Sequence, residues 1–193
     1  YLLDKSTTEV LYGGAAGGGK SYLGCAYSII LCLQYAGIRG MIGRSKLDTL
    51  KKNTLNTFFD ICNQWSLKSG IHYTYNGQSN IIKFYNDSEI ILKDLFLYPS
   101  DPNYDSLGSL ELTFAFIDEV SQLTEKAKQI VSSRLRYRLD EYGLIPKLLM
   151  TCNPTKGWIY QMYYKPDREG TLPKHRRFIQ ALVDDNQHIS RHY

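Results

Sequence analysis

Leu11-Tyr12-Gly13-Gly14-Ala15-Ala16-Gly17-Gly18-Gly19-Lys20-Ser21 decides the fold of this chain, because from Gly14 onward it satisfies G-x-x-x-x-G-K-[ST]. A phosphate chain is held by backbone N–H groups at close range. Glycine removes the Cβ obstruction and permits the φ values that curl a loop into an anion nest. Five of the nine residues from Gly13 to Ser21 are glycine. The pattern predicts that Gly14, Ala15, Ala16, Gly17, Gly18 and Gly19 cradle the phosphates of ATP or GTP. Lys20 then reaches the β- and γ-phosphates, and Ser21 ligates Mg²⁺. Upstream, Glu9-Val10-Leu11-Tyr12 reads as a short buried strand; downstream, Ser21 to Ala36 reads as a helix with its positive end toward the anion. Strand, glycine loop and helix together separate a phosphate loop from a flexible linker that happens to hold a Lys-Ser pair.

The elements that follow extend this beginning into β-α-β-α order. Ile38 to Gly43 reads as a second strand, and Leu47 to Leu67 as a long helix with apolar Leu47, Leu50, Leu55, Phe58, Phe59 and Ile61. Ile71 to Tyr75, Asn80 to Tyr85 and Glu89 to Leu92 alternate with period two between the turns Asn76-Gly77-Gln78-Ser79 and Asn86-Asp87-Ser88, which predicts a small antiparallel meander. Tyr98 to Ser109, with two prolines and several Asp and Ser residues, reads as a loop. Thr113 to Ile117 is then a buried strand, Leu123 to Leu139 a helix, Lys147 to Thr151 a strand, Trp158 to Tyr164 a short helix, and Arg177 to Val183 a last strand. Apolar strands alternating with helices imply a mainly parallel, doubly wound sheet.

Composition bounds what the chain can be. With 193 residues, 43% hydrophobic and 22% charged, one α/β domain is expected. No apolar run approaches a membrane span, and Tyr1-Leu2-Leu3-Asp4-Lys5 has no signal-peptide character, so a cytosolic location is expected. A start at Tyr1 rather than methionine is what is expected of a piece trimmed or excised from a longer product. The four cysteines, Cys25, Cys32, Cys62 and Cys152, are widely spaced and read as small core residues. The four histidines, His72, His175, His188 and His192, are read as surface or structural side chains, so no transition metal is assigned. A net charge of +4 is too mild to indicate nucleic acid by itself.

The second chemical element is Phe114-Ala115-Phe116-Ile117-Asp118-Glu119, an apolar strand ending in two acids. It delivers both carboxylates to the carboxyl edge of the sheet, where ligands sit in open α/β folds. Asp118 is expected to hold Mg²⁺, and Glu119 to orient and deprotonate the water that attacks the γ-phosphate. A GTPase would carry D-x-x-G and N-K-x-D; here Asp118 is followed by Glu119-Val120-Ser121, and N-K-x-D is absent. The expected fold is therefore α/β, a P-loop NTPase of the additional-strand, catalytic-glutamate (RecA-like) type. Its sheet is mainly parallel and flanked by helices, with a small inserted β-meander.

The glycine loop, the strand ending Ile117-Asp118-Glu119, and Leu148-Leu149-Met150-Thr151-Cys152-Asn153-Pro154 together resemble the ATPase domain of the large terminase subunit, the DNA-packaging motor of tailed bacteriophages. Gly43-Arg44-Ser45 before a long helix, Ser133-Arg134-Leu135-Arg136 and Asp184-Asp185-Asn186 reinforce it, and the resemblance covers nearly the whole chain. It implies Mg-dependent ATP hydrolysis that threads double-stranded DNA into a procapsid. It also implies a homo-oligomeric ring, pentameric in the best-known cases, that works with a portal protein and a small terminase subunit. The setting is the cytoplasm of the infected bacterial host, with no membrane partner. Residues 1–183 would form the ATPase domain, and 184–193 the start of a linker to a C-terminal nuclease domain. Asn153 would match the coupling residue that senses the γ-phosphate, although Asn153-Pro154 also suits a plain turn after a strand.

Some terminases carry an arginine in the glycine loop or just before the acidic strand. This chain has Ala15 and Ala16 in the first place and Asp105-Ser106-Leu107-Gly108-Ser109-Leu110 in the second. Arg44, Arg134, Arg136 and Arg138 are thus the candidates for an arginine finger, with DNA contact or a solvated charge as alternatives. Lys126, Lys128, Arg134, Arg136 and Arg138 are read on or near one helix, with Arg134 and Arg138 on one face and Ala127, Val131, Leu135 and Leu139 on the core side. Lys126, Lys128, Arg134 and Arg138 are the expected DNA-phosphate contacts, with Lys46, Lys51 and Lys52 on the earlier helix as further candidates. Two other functions share these motifs: a RecA-like helicase or other DNA-dependent ATPase, and a nucleotide-dependent capsid or portal assembly module with little turnover of its own.

Overall fold

Four consecutive residues of the acid-tipped strand, Phe114 to Ile117, are buried, and a strand apolar on both faces needs a layer on each side. The computed structural model describes residues 1–14 and 18–181. Ala15, Ala16 and Gly17 of the glycine loop lie outside the described residues, as do 182–193, including Val183, Asp184, Asp185 and the expected linker. Among the described residues one sheet is formed by β1 (Glu9–Gly14), β2 (Arg39–Arg44), β3 (Tyr73–Asn76), β4 (Ile81–Phe84), β5 (Glu89–Asp94), β6 (Phe114–Ile117), β7 (Lys147–Cys152) and β8 (Arg176–Ala181). Their order is β3-β4-β5-β2-β6-β7-β1-β8. Every pairing from β5 across to β8 is parallel, and β3–β4 and β4–β5 are antiparallel.

The meander is continuous with this sheet rather than a separate insertion. Its last strand, β5, pairs parallel with β2 from Arg39↔Glu89 to Arg44↔Asp94, so the hairpin simply widens the sheet on that side.

Helices cover both faces. On one, α1 (Lys20–Gln34) and α3 (Leu55–Gln64) bury Ile29, Phe58 and Ile61 against Phe114 and Phe116. On the other, α5 (Glu125–Ser133) and the helix after β7 bury Ala127, Val131, Ile159 and Tyr163 against Ala115, Ile117 and Met150. The strand's period of two sends its two phenylalanines one way and Ala115 and Ile117 the other. Gly24 lets α1 approach closely: a Cβ there would lie 2.2 Å from the Phe116 ring.

Several boundaries differ from the sequence reading, each for a local reason. The long helix is α2 (Leu47–Thr49), a π-helical turn Leu50–Thr54, and α3, ending at Gln64. The expected loop after β5 contains the short α4 (Asp105–Gly108). The helix expected to reach Leu139 stops at Ser133, because the Arg136 and Tyr137 amides leave it to donate to Leu112 O at 2.8 and 2.9 Å. Arg138 then turns the chain with φ of +52° into α6 (Leu139–Tyr142). The helix expected at Trp158 to Tyr164 contains a π-helical turn, Tyr160–Tyr164, and continues as α7 (Lys165–Arg168). All four cysteines are buried free thiols. No described helix is long and apolar enough to cross a membrane.

Candidate active site

β1, β6 and β7 run parallel and end at the same edge of the sheet, so the residues just beyond them meet without any being neighbours in sequence. Gly19 caps α1 with φ of +68°, a left-handed value that glycine adopts without strain, and the helix opens with Lys20 and Ser21. Lys20 is buried and its Nζ donates to Gly14 O at 3.0 Å across the glycine loop. Tyr12 OH donates to Gly18 O at 3.0 Å and ties the loop's far side to β1.

Asp118 is the hub. The residue is 1% exposed, and its carboxylate accepts from four side chains. Ser21 Oγ lies 3.1 and 3.2 Å from the two oxygens. Thr151 Oγ1, at the end of β7, donates to Oδ1 at 2.6 Å. Thr54 Oγ1 donates to Oδ2 at 2.6 Å, and Arg44 Nη1, at the end of β2, donates to the same oxygen at 3.1 Å. The paired Ser21 hydroxyl and Asp118 carboxylate are hard oxygen donors, the set Mg²⁺ uses when phosphate oxygens and water complete its octahedron. Among the described residues no group of three or more His, Cys, Asp or Glu side chains is placed to hold a metal ion.

Glu119 stands beside this hub in a left-handed backbone conformation, φ +55° and ψ +48°, unusual for a non-glycine residue and a form of strain that concentrates at functional sites. Its amide donates to Thr151 Oγ1 at 3.3 Å, and Asn153 Nδ2 donates to its Oε1 at 3.0 Å. Thr151 thus links the two acids, while Asn153 orients the outer one. Next to the loop lies a cavity of about 560 Å³ lined by Gly13, Asn153, Pro154, Tyr160, Tyr164 and Phe178. Tyr160 and Tyr164 stack at 5.2 Å on the π-helical turn, and the Tyr164 ring meets Phe178 at 5.7 Å.

The basic residues divide sharply. Arg44 is inside the site, with a side chain only 12% exposed. Arg134, Arg136 and Arg138 are not brought there: they flank Leu112, before β6, about 20 Å along the strand from Asp118. Arg134 donates to Gly108 O at 2.8 Å, Arg136 pairs with Glu111 at 3.3 Å, and Arg138 with Glu141 at 3.4 Å. Because α5 ends at Ser133, Arg134 and Arg138 share no helix face.

Lys128 requires the plainest correction. It is 2% exposed and its ammonium is bonded to Glu9 Oε1, so it faces the core and not a DNA phosphate. Burial would raise the Glu9 carboxyl, but hydrogen bonds from Lys128 and Tyr163 and the charges of Lys128 and Arg176 outweigh it and hold the group below its ordinary value. Lys126 is exposed, with its ammonium fastened to Asn103 Oδ1 at 2.9 Å. Lys46 lies over the Phe96 ring at 5.5 Å, and Lys51 reaches Gly77 O at 3.4 Å.

Sequence reasoning missed Thr54 and the Asp118-binding role of Thr151. A threonine among Lys51, Lys52 and Asn53 carries no signal of its own, and only the π-helical turn presents it to the site.

Residues 5–193 match the family model described as phage terminase large subunit. The fold is similar to the large terminase of a thermophilic bacteriophage, with TM-score 0.75 and 18% identity over 99% of this chain and 44% of that one. The same terminase in complex with ATP-gamma-S aligns with TM-score 0.72 and 17% identity, over 96% of this chain and 42% of that one. The large terminase ATPase domain of a Thermus phage aligns with TM-score 0.60 and 14% identity, over 91% of this chain and 76% of that one. The chain therefore spans less than half the length of the first of these structures. No curated protein sequence matches.

Proposed function

We propose that this chain, which belongs to the phage terminase large subunit family, hydrolyses ATP with Mg²⁺ and couples the cycle to movement of double-stranded DNA into a procapsid. The observation that carries the reading is the contact of Ser21 with Asp118, beside Glu119 held by Asn153. The glycine loop, Lys20 and the start of α1 supply donors and positive charge for the phosphates. Ser21 and Asp118 are the residues that would hold Mg²⁺, which when bound neutralises phosphate oxygens. Thr54 and Thr151 each donate to one Asp118 oxygen and fix the orientation of the carboxylate. Glu119 accepts a proton from the attacking water, and Asn153 keeps the carboxylate aimed. The aromatic cavity beside Gly13 fits a base and ribose.

Asn153 donates to Glu119 and begins the segment leading to the π-helical turn at Tyr160, so a change at Glu119 has a route through that hydrogen bond and the following backbone to the far side of the cavity. That is the proposed coupling step. In this reading subunits form a ring at the portal in the infected cell's cytoplasm, with the small terminase subunit and duplex DNA as partners. A neighbour's Arg134, Arg136 or Arg138 then completes each site. Residues 1–183 are the proposed ATPase domain. Lys126, Arg134 and Arg138 remain the proposed DNA-phosphate contacts.

The test is steady-state ATP hydrolysis against protein concentration, with and without linear duplex DNA and with Glu119→Gln as the blank. Specific activity should rise with concentration and with DNA. A constant, DNA-independent value would favour a self-contained ATPase of another kind, and binding without turnover at any concentration would favour the assembly module.

A further inference from the structure

A cation already sits where this reading puts Mg²⁺. Arg44 Nη1 lies 3.1 Å from Asp118 Oδ2 and 3.3 Å from Thr54 Oγ1. The position is built into the sheet: β2 and β6 pair up to Gly43↔Ile117, and the Asp118 amide donates to Gly43 O at 2.8 Å, so Arg44 and Asp118 emerge side by side. Thr54 donates to Asp118 and accepts from Arg44, which locks the ion pair from a third element.

The pair is incomplete on the arginine side. Arg44 Nε is buried and has no hydrogen-bond partner among the described residues. Buried donors are rarely left unpaired, and one that is needs a reason. An incoming phosphate, which presents several acceptor oxygens and pairs well with guanidinium, supplies one. A divalent cation, in contrast, cannot share a buried carboxylate with a guanidinium without strong repulsion in a low-dielectric setting.

Resting on the ATPase reading, we propose that Arg44 is a built-in counter-ion of Asp118 that makes metal entry conditional on nucleotide. Without nucleotide, Arg44 neutralises Asp118 and excludes the divalent cation. With nucleotide, phosphate oxygens accept from Arg44, the guanidinium leaves Asp118, and the carboxylate becomes available to the metal. Arg44 thereby acts in its own chain, in distinction from a finger supplied by a neighbour.

Mn²⁺ binding followed by electron paramagnetic resonance tests this without turnover. Nucleotide-free Arg44→Gln should bind Mn²⁺ at least about tenfold more tightly than wild type, because the competing cation is gone, and Arg44→Lys, which retains a charge, should gain much less. Equal Mn²⁺ affinity in wild type and Arg44→Gln would overturn the proposal, as would equal gains in Gln and Lys. The wild-type protein gives a second readout that does not depend on a variant's folding. The Arg44 Nε–H resonance, assigned by its loss in Arg44→Lys, should move on adding Mg²⁺ with ADP, and a resonance unmoved by the pair would overturn the proposal. Wild-type affinity for ADP in the presence of a chelator reports separately on the nucleotide reading: no binding there removes that reading, whatever the Mn²⁺ result.

Discussion

Two buried carboxylates, one at the entry to the sheet and one at its exit, are neutralised in opposite ways. Glu9 begins β1 and accepts from the Lys128 ammonium, from Tyr163 OH at 2.7 Å and from Arg176 Nε at 2.8 Å. Asp118 follows β6 and is ringed by the hydroxyls of Ser21, Thr54 and Thr151 together with the Arg44 guanidinium. Glu9's partners come from α5, the π-helical turn and β8, which its charges pin to one another. The group is saturated by fixed cations and has no role left but to hold the frame. Asp118 has mostly neutral partners, and one of them, Ser21, lies in the first turn of the helix that follows the glycine loop. A buried acid is thus structural where cations close it off and available for chemistry where exchangeable hydroxyls surround it.

Glu119→Gln is expected to have the largest effect and to sharpen the contrast at the exit end. ATP turnover in a steady-state assay should fall by about 10²–10⁴-fold while nucleotide affinity and the melting temperature stay near wild type. Loss of fold instead of turnover would make this edge of the sheet structural too. At the entry end Lys128→Met should do the reverse, destabilising by about 3–5 kcal/mol in urea unfolding because Glu9 loses a buried cation. Adding Glu9→Gln to that variant should recover part of the loss, and the absence of any recovery would break the assignment of the cost to the ion pair.

A smaller effect separates the two acids by pH. Glu9 titrates below its ordinary 4.5 in the folded chain, so its contribution to stability is present above that value and is lost as pH falls through the folded value. Glu9→Gln should flatten the acid limb of the urea midpoint against pH, and an unchanged limb would assign it to other carboxylates. Smallest is the charge reversal Arg134→Glu with Arg138→Glu. Both side chains are part-exposed, so stability should change by less than about 1 kcal/mol. If they meet DNA, the slope of duplex affinity against salt should drop by about one per contact, and an unchanged slope would return them to solvated charges.

The strand–glycine loop–helix unit and the acid-tipped strand are legible because each is a short contiguous run. From the order of strands and helices the parallel sheet followed as well. Helical periodicity makes Lys128 an outward charge, but its partner Glu9 lies 119 residues away on β1 and draws it into the core. Arg134 to Arg138 were read as helix because nothing in Ser133-Arg134-Leu135-Arg136 announces that Leu112 will draw their amides out of it. Thr54 went unread because a π-helical turn depends on the packing of the whole helix and leaves no mark in a five-residue window.

What the sequence determined by itself is the contiguous glycine-rich run from Gly14 to Ser21 and the helix that opens at Lys20, because local backbone preference acts between neighbours in the chain. It also determined that Asp118 and Glu119 leave a buried strand together. Only the tertiary structure decided which partners neutralise them, since Arg44, Thr54 and Thr151 reach Asp118 from three separate elements. Burial and electrostatics act through space, and a linear pattern carries no measure of distance between residues that the sheet brings into contact.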